Sequence, residues 1–181
     1  MAVVLCGCLA LWYPYLAGSL ARNLGAVAHS HAQVRQPSDR VDLRTAIAYF
    51  ESALAWNPAD LRARWRLGQA LELAGDADAA LQHWRSVPTA SGWLLREGQI
   101  ASRRRDGVAA RPDFTLRRFQ QAVALDPASA EAHYWLGRAY AGRKEWHLAR
   151  VAFEQAVALD PTHLSARAEA ARARASALQQ P

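Results

Sequence analysis

The sequence predicts an all-α protein with an N-terminal transmembrane helix, a stack of about three helical hairpins and a capping helix. The heptapeptide Gln-Ala-Val-Ala-Leu-Asp-Pro occurs at residues 121–127 and again at 155–161. Repetition at this period, 34 residues, predicts a supersecondary unit stacked on copies of itself. Residues 2–21 carry no charge, and about 20 apolar residues of helix are enough to span a bilayer.

Residues 1–21 are predicted to be a retained transmembrane anchor. A cleaved signal peptide is one alternative, but no basic residue precedes Arg22. The tetrapeptide 5–8 resembles a lipoprotein processing site, although the apolar run before it is short. Aromatic bulk and a proline in the middle of a span favour a protein neighbour over lipid. The residues predicted to make these membrane-helix contacts are Trp12, Tyr13, Pro14 and Tyr15.

Residues 22–38 are predicted to form a membrane-exit helix and a linker. Apolar residues Leu20, Leu24 and Val27 recur at helical spacing, and Pro37 disfavours helix at the residue before it. The next helix, 39–56, has the pattern of the second half of a hairpin whose first half is missing. We therefore expect the membrane-exit helix to occupy the vacant place.

The segment 130–163 shows what the repeated unit is. Counted from Ala130, small residues stand at positions 8, 20 and 27, large residues at 7, 11 and 24, and a proline that ends a helix at 32. In that order they are Gly137, Ala149, Ala156, Leu136, Tyr140, Phe153 and Pro161. This pattern resembles the tetratricopeptide repeat (TPR). The resemblance implies a right-handed α-solenoid, which we place at 39–161.

Two other units depart from this pattern. The unit 61–90 is short, and the unit 91–129 is long because an insertion at 105–113 lengthens its turn. The insertion is either a loop tolerated at little entropic cost or a contact for a partner. The second unit also has Glu97 where leucine is expected. Residues 162–181, rich in alanine and arginine, are predicted to form the capping helix.

The resemblance also implies a concave groove lined by the first helix of each hairpin. Arginine beside tyrosine or tryptophan is the composition of a protein interface. The residues placed in this partner-binding groove or at its margin are Arg62, Trp65, Arg66, Gln69, Glu72, Leu95, Arg96, Gln99, Ser102, Arg103, Glu131, Tyr134 and Arg138. The family's clamp for a C-terminal carboxylate is not expected, because its lysine and asparagine are replaced here.

No catalytic constellation emerges from the sequence, and we expect no enzyme activity, cofactor, metal or small-molecule substrate. The only cysteines, Cys6 and Cys8, lie in the apolar N-terminus. Of the six histidines, His29 and His31 are two residues apart and cannot face one ion from a helix. The formal net charge of +6 suits an acidic partner. Nucleic acid is not expected, since the arginines are dispersed.

These observations predict a non-enzymatic, membrane-tethered scaffold that binds a protein partner, as an accessory subunit or assembly factor of a membrane complex. Lipid contact is expected through the N-terminal helix. The alternative is an accessory protein in cofactor handling, of the cytochrome-maturation type, or in glycan processing. Arg22 and Arg35 favour a cytoplasmic domain by the positive-inside rule, whereas analogy with anchored TPR proteins favours the extracytoplasmic side, towards which we lean.

Overall fold

The computed structural model describes residues 16–30, 40–103 and 111–178, with the backbone alone at 40–42. These residues form nine helices. They are α1 (16–30), α2 (Arg40–Trp56), α3 (Leu61–Ala74), α4 (Ala77–Arg85), α5 (Ala90–Ser102), α6 (Pro112–Leu125), α7 (Ala130–Gly142), α8 (Trp146–Leu159) and α9 (Leu164–Leu178). The chain divides after Pro88 into two compact units.

Unit 1 contains the hairpins α1/α2 and α3/α4. Its core is built on Phe50 and Leu67, which lie among alanines of α2 and α3. Asp60 caps α3 by accepting hydrogen bonds from two backbone amides of its first turn, each at 3.0 Å. Gly75 ends that helix in the left-handed conformation, with φ of 95°, which glycine adopts without steric cost.

Helix α1 fills the place that the repeat pattern left vacant. The side chain of Ala21 is buried with Ala53 and Ala63. The guanidinium of Arg22 forms an ion pair with the Asp60 carboxylate. Helices α1 and α2 therefore form a complete hairpin, although the residues 31–39 separate them.

Helix α1 runs across the boundary predicted between residues 21 and 22. The described part of α1 starts at residue 16, and Gly18 is buried where a Cβ would lie 3.3 Å from Trp56. Residues 16–21, assigned to the anchor, therefore belong in part to the hairpin, since small residues let α1 approach α2 closely. Among the residues that the structure describes, no helix is long and apolar enough to cross a membrane.

Several predictions lie outside the described residues. These are the anchor segment 1–15 with Trp12, Tyr13, Pro14 and Tyr15, the cysteines, His31, the linker around Pro37, and residues 105–110 of the insertion.

Unit 2 contains the hairpins α5/α6 and α7/α8, followed by α9. Phe119 of α6 packs with Leu136 and Ala152, and Phe153 of α8 packs with alanines of α8 and α9. Helix α6 has proline at its first turn, where a missing amide hydrogen costs nothing. Helix α9 buries alanines against α8 and leaves Leu164 and Leu178 exposed.

The same glycine–aromatic contact occurs in all four hairpins of the described structure. A glycine of the first helix receives the aromatic ring of the second helix so closely that a Cβ would lie 2.2–2.8 Å from it. The pairs are Gly25 with Phe50, Gly68 with Trp84, Gly98 with Phe119 and Gly137 with Phe153. Each aromatic side chain is at most 1% exposed.

Candidate functional site

In unit 1, the predicted groove residues share one face of α3. Trp65 is half-buried and stacks on Trp84, with ring centroids 5.1 Å apart. The Nε1 of Trp84 donates a hydrogen bond to the carbonyl oxygen of Trp65 at 3.1 Å. Stacking and this hydrogen bond hold both indoles in one orientation. Arg62 and Arg66 are exposed on the same face, while Gln69 and Glu72 are partly buried there.

His29 of α1 is a core residue of unit 1, although no sequence pattern indicated its burial. Its side chain is 0% exposed, and within the described part of the chain neither ring nitrogen has a hydrogen-bond partner. The ring meets Phe50 edge to face, with centroids 6.5 Å apart. Burial lowers the pKa of His29, and the positive charge of Arg66 lowers it further.

In unit 2, the predicted residues lie on α5 and α7, which touch each other. Gln99 and Leu95 are partly buried, and Arg96, Ser102 and Arg103 are exposed, with Arg103 just beyond the end of α5.

On α7, Tyr134 lies between other aromatic rings, with its centroid 4.7 Å from that of His163 and 5.7 Å from that of Trp135. The guanidinium of Arg138 lies 4.7 Å from the centroid of Trp135 and 5.9 Å from that of Tyr134. Glu131 accepts a hydrogen bond from the indole of Trp135. This part of the face is therefore a stacked array of aromatic and charged side chains and is held in place by its own contacts.

Two features of unit 2 were missed by sequence reasoning. The first is the ion pair of Glu97 with Arg118, whose Nε lies 3.0 Å from a carboxylate oxygen. Arg118 also donates to Gln121 at 2.9 Å and stacks on Phe114 at 4.5 Å. The glutamate at a position where leucine is expected was the signal, because an acidic residue facing the hairpin interior needs a cation from the second helix.

The second missed feature is a pocket of about 260 Å³ at the turn end of the hairpin α5/α6, beside α7. Thr115 and Phe119 of α6 and Trp135 and Arg138 of α7 line it, with Ser102, Pro112, Ala139, Gly142 and Arg143 completing the wall. Of these lining residues, the predicted groove included only Arg138 and Ser102. Thr115 and Phe119 were missed because the groove positions of the family do not include the second helix.

Among the described residues, no group of three or more histidine, cysteine, aspartate or glutamate side chains could hold a metal ion. Acidic residues instead serve helix ends and ion pairs, as Asp60, Asp76 and Glu145 do.

The sequence profile of the tetratricopeptide repeat family matches residues 41–90, and a second profile of the same family matches residues 130–163. This chain contains tetratricopeptide repeats at residues 41–90 and 130–163. The first match spans the hairpin α3/α4 with α2 before it, and the second spans α7/α8. TPRs indicate a scaffold for protein–protein interaction, and their fold is typically non-catalytic.

Solved structures of TPR proteins resemble this chain at low sequence identity. MamA is 19% identical, with a TM-score of 0.43, over 88% of this chain and 82% of its own. YrrB, described as a TPR protein with an unusual peptide-binding site, is 19% identical, with a TM-score of 0.43, over 86% and 75%. TTC0263, a TPR protein of Thermus thermophilus, is 22% identical, with a TM-score of 0.41, over 88% and 82%. No curated protein matches the sequence.

Proposed function

We propose that this TPR protein is a membrane-tethered scaffold that grips a polypeptide partner, as an accessory subunit or assembly factor of a membrane complex. The observation that carries the proposal is that each unit, by itself, has arginine and aromatic side chains together on its first helices. Trp65 stacks on Trp84 in unit 1, and Arg138 stacks on Trp135 in unit 2. Planar side chains that are already ordered lose little entropy when a partner binds.

Attachment to a membrane is supported by the N-terminal sequence and by α1. Residues 2–21 are uncharged. On α1, Leu16, Leu20, Leu24 and Val27 are 41–60% exposed and recur at helical spacing, so that one apolar stripe faces away from α2. A tether raises the effective concentration of the scaffold for a partner in the same membrane, and modest affinity in the groove then suffices.

The partner can be captured by photo-crosslinking from single positions. A photoreactive amino acid replaces Arg62 or Arg138 on the proposed groove, or Arg172 on the exposed side of α9 as the matched control. After irradiation of intact cells, we expect the two groove positions, and not the control, to yield one common polypeptide. Equal yields from all three positions, or none from the groove, would contradict the proposal.

We further propose that the helical domain lies on the extracytoplasmic side. The residues after Cys8 contain no cysteine, so one introduced thiol reports its own location. In a chain carrying Cys6→Ser, Cys8→Ser and Arg172→Cys, a membrane-impermeant maleimide should label intact cells. Labelling only after lysis would place the domain in the cytoplasm.

A further inference from the structure

The pocket of unit 2 has the size of a site for one side chain. Its volume of about 260 Å³ lies below the range of roughly 300–1,000 Å³ typical of small-molecule sites. Phe119 and Trp135 form its apolar wall, and Thr115, Arg138 and Arg143 bring polar groups to it. It opens beside the α7 face on which a docked polypeptide would lie.

Thr115 is the first indication of a ligand. Its side chain is 5% exposed, and its hydroxyl oxygen has no hydrogen-bond partner among the residues that the structure describes. A buried hydroxyl without a partner destabilises the folded protein, and a ligand atom that accepts a hydrogen bond from it removes that cost. Ser102 differs, because its hydroxyl already donates to the carbonyl of Gln99 at 2.7 Å.

The charges on the wall indicate the sign of the ligand. Arg143 is occupied, since its guanidinium forms ion pairs with Asp113 and with Glu145. Arg138 is held against the ring of Trp135, and within the described ranges no carboxylate pairs with it. The described wall therefore presents an uncompensated cation and an available hydroxyl donor. A carboxylate matches both, because it has one negative charge and two acceptor oxygens.

We infer that this pocket receives an acidic side chain, aspartate or glutamate, from the polypeptide that docks on α7. The inference rests on the proposed scaffold function and adds the chemistry of one anchor residue. The carboxylate accepts from Thr115 and from the guanidinium of Arg138, while the methylene groups of the side chain lie against Phe119 and Trp135. The charge of Arg138 balances a carboxylate better than a phosphate group, whose charge is close to −2.

Binding of capped peptide pools to the full-length protein in detergent tests this assignment. The pools have randomised flanks and a fixed central glutamate, glutamine, arginine or phosphoserine, and both termini are blocked to remove terminal charges. We expect the glutamate pool to bind about tenfold more tightly than the glutamine pool, the size of one charge-assisted hydrogen bond.

Three variants locate the effect. Arg138→Gln should remove the preference for glutamate, and Thr115→Val, which keeps the side-chain shape, should reduce it about fivefold. Arg172→Gln, an exposed arginine on α9, should leave it unchanged. Circular dichroism checks that each variant is folded.

The outcomes separate the two proposals. Equal binding of the glutamate and glutamine pools would overturn the acidic pocket and leave the scaffold function standing. A stronger phosphoserine pool, or a glutamate preference that survives Arg138→Gln, would also overturn it. If the wild-type protein binds no pool at all, both the pocket and the scaffold function fail.

Discussion

Replacing His29 by leucine should stabilise unit 1, although the histidine is completely buried. Both ring nitrogens lack hydrogen-bond partners in the described structure, and a buried unsatisfied polar atom costs about 1–3 kcal/mol. Leucine has no such atom. It loses the edge-to-face contact with Phe50, worth about 0.5–1.5 kcal/mol. We expect His29→Leu to raise the free energy of unfolding by about 1 kcal/mol at neutral pH.

The same substitution should flatten the pH dependence. The pKa of His29 is lowered in the folded protein, so the unfolded chain binds a proton more readily. The contribution of His29 to the pH dependence is therefore fully favourable above the unfolded pKa of about 6.5. Below it the free energy of unfolding falls, by up to roughly 1.4 kcal/mol per pH unit until the folded pKa is reached. His83, whose pKa is also lowered by burial, leaves a smaller slope in the variant.

Urea denaturation at pH 7.5, 6.5 and 5.5, followed by circular dichroism, measures both effects. His147→Leu is the matched control, because His147 is exposed on α8 and its loss should change stability by less than about 0.5 kcal/mol. A His29→Leu protein that is less stable than wild type at pH 7.5 would refute the account of the unsatisfied nitrogens. An unchanged slope between pH 6.5 and 5.5 would refute the account of the buried neutral ring.

Two further substitutions test the packing of unit 2. Gly137→Ala would place a Cβ 2.7 Å from the ring of Phe153, so we expect the free energy of unfolding to fall by about 1–3 kcal/mol. The control Gly92→Ala, whose Cβ would have no atom within 4 Å, should raise it by up to about 1 kcal/mol. Equal effects of the two substitutions in thermal melts would contradict the close-approach argument. Glu97→Leu removes the carboxylate that pairs with the buried Arg118, so the free energy of unfolding measured in urea should fall by about 1–3 kcal/mol. Adding Arg118→Met should restore most of that loss. A double variant no more stable than Glu97→Leu alone would exclude the ion pair as the cause.

The repeat architecture could be predicted because its signals are local. A glycine and an aromatic residue at fixed offsets within one hairpin, such as Gly137 and Phe153, determine how closely two helices approach. The sequence therefore predicted the hairpins of 61–90, 91–129 and 130–163 and their order. It also predicted that a helix before residue 39 would complete the first hairpin, since the apolar face of the helix 39–56 otherwise had no partner.

The features that the sequence did not predict depend on contacts between residues with no fixed spacing in the chain. Gly25 receives Phe50 across the residues 31–39, so this pair does not stand at the spacing that Gly68 with Trp84 and Gly137 with Phe153 share. Thr115 and Phe119 line a pocket because α6 lies beside α7, and the first-helix positions of the family do not include them. Glu97 was noticed as an exception, but Arg118, its partner, becomes evident only when α5 and α6 are packed together.

The packing of α1 against α2 limits where a peptidase can cut the N-terminal segment without disrupting unit 1. Gly18, Ala21 and Gly25 are interior contacts of the first hairpin, and Phe50 is covered where Gly25 approaches it. A peptidase that cut after Ala21 would remove the first turns of α1 together with the contact of Gly18 against Trp56, leaving a hairpin with one shortened helix. A cut upstream of residue 16 would leave every one of these contacts in place. Cleavage is therefore compatible with these contacts of unit 1 only on the N-terminal side of Gly18.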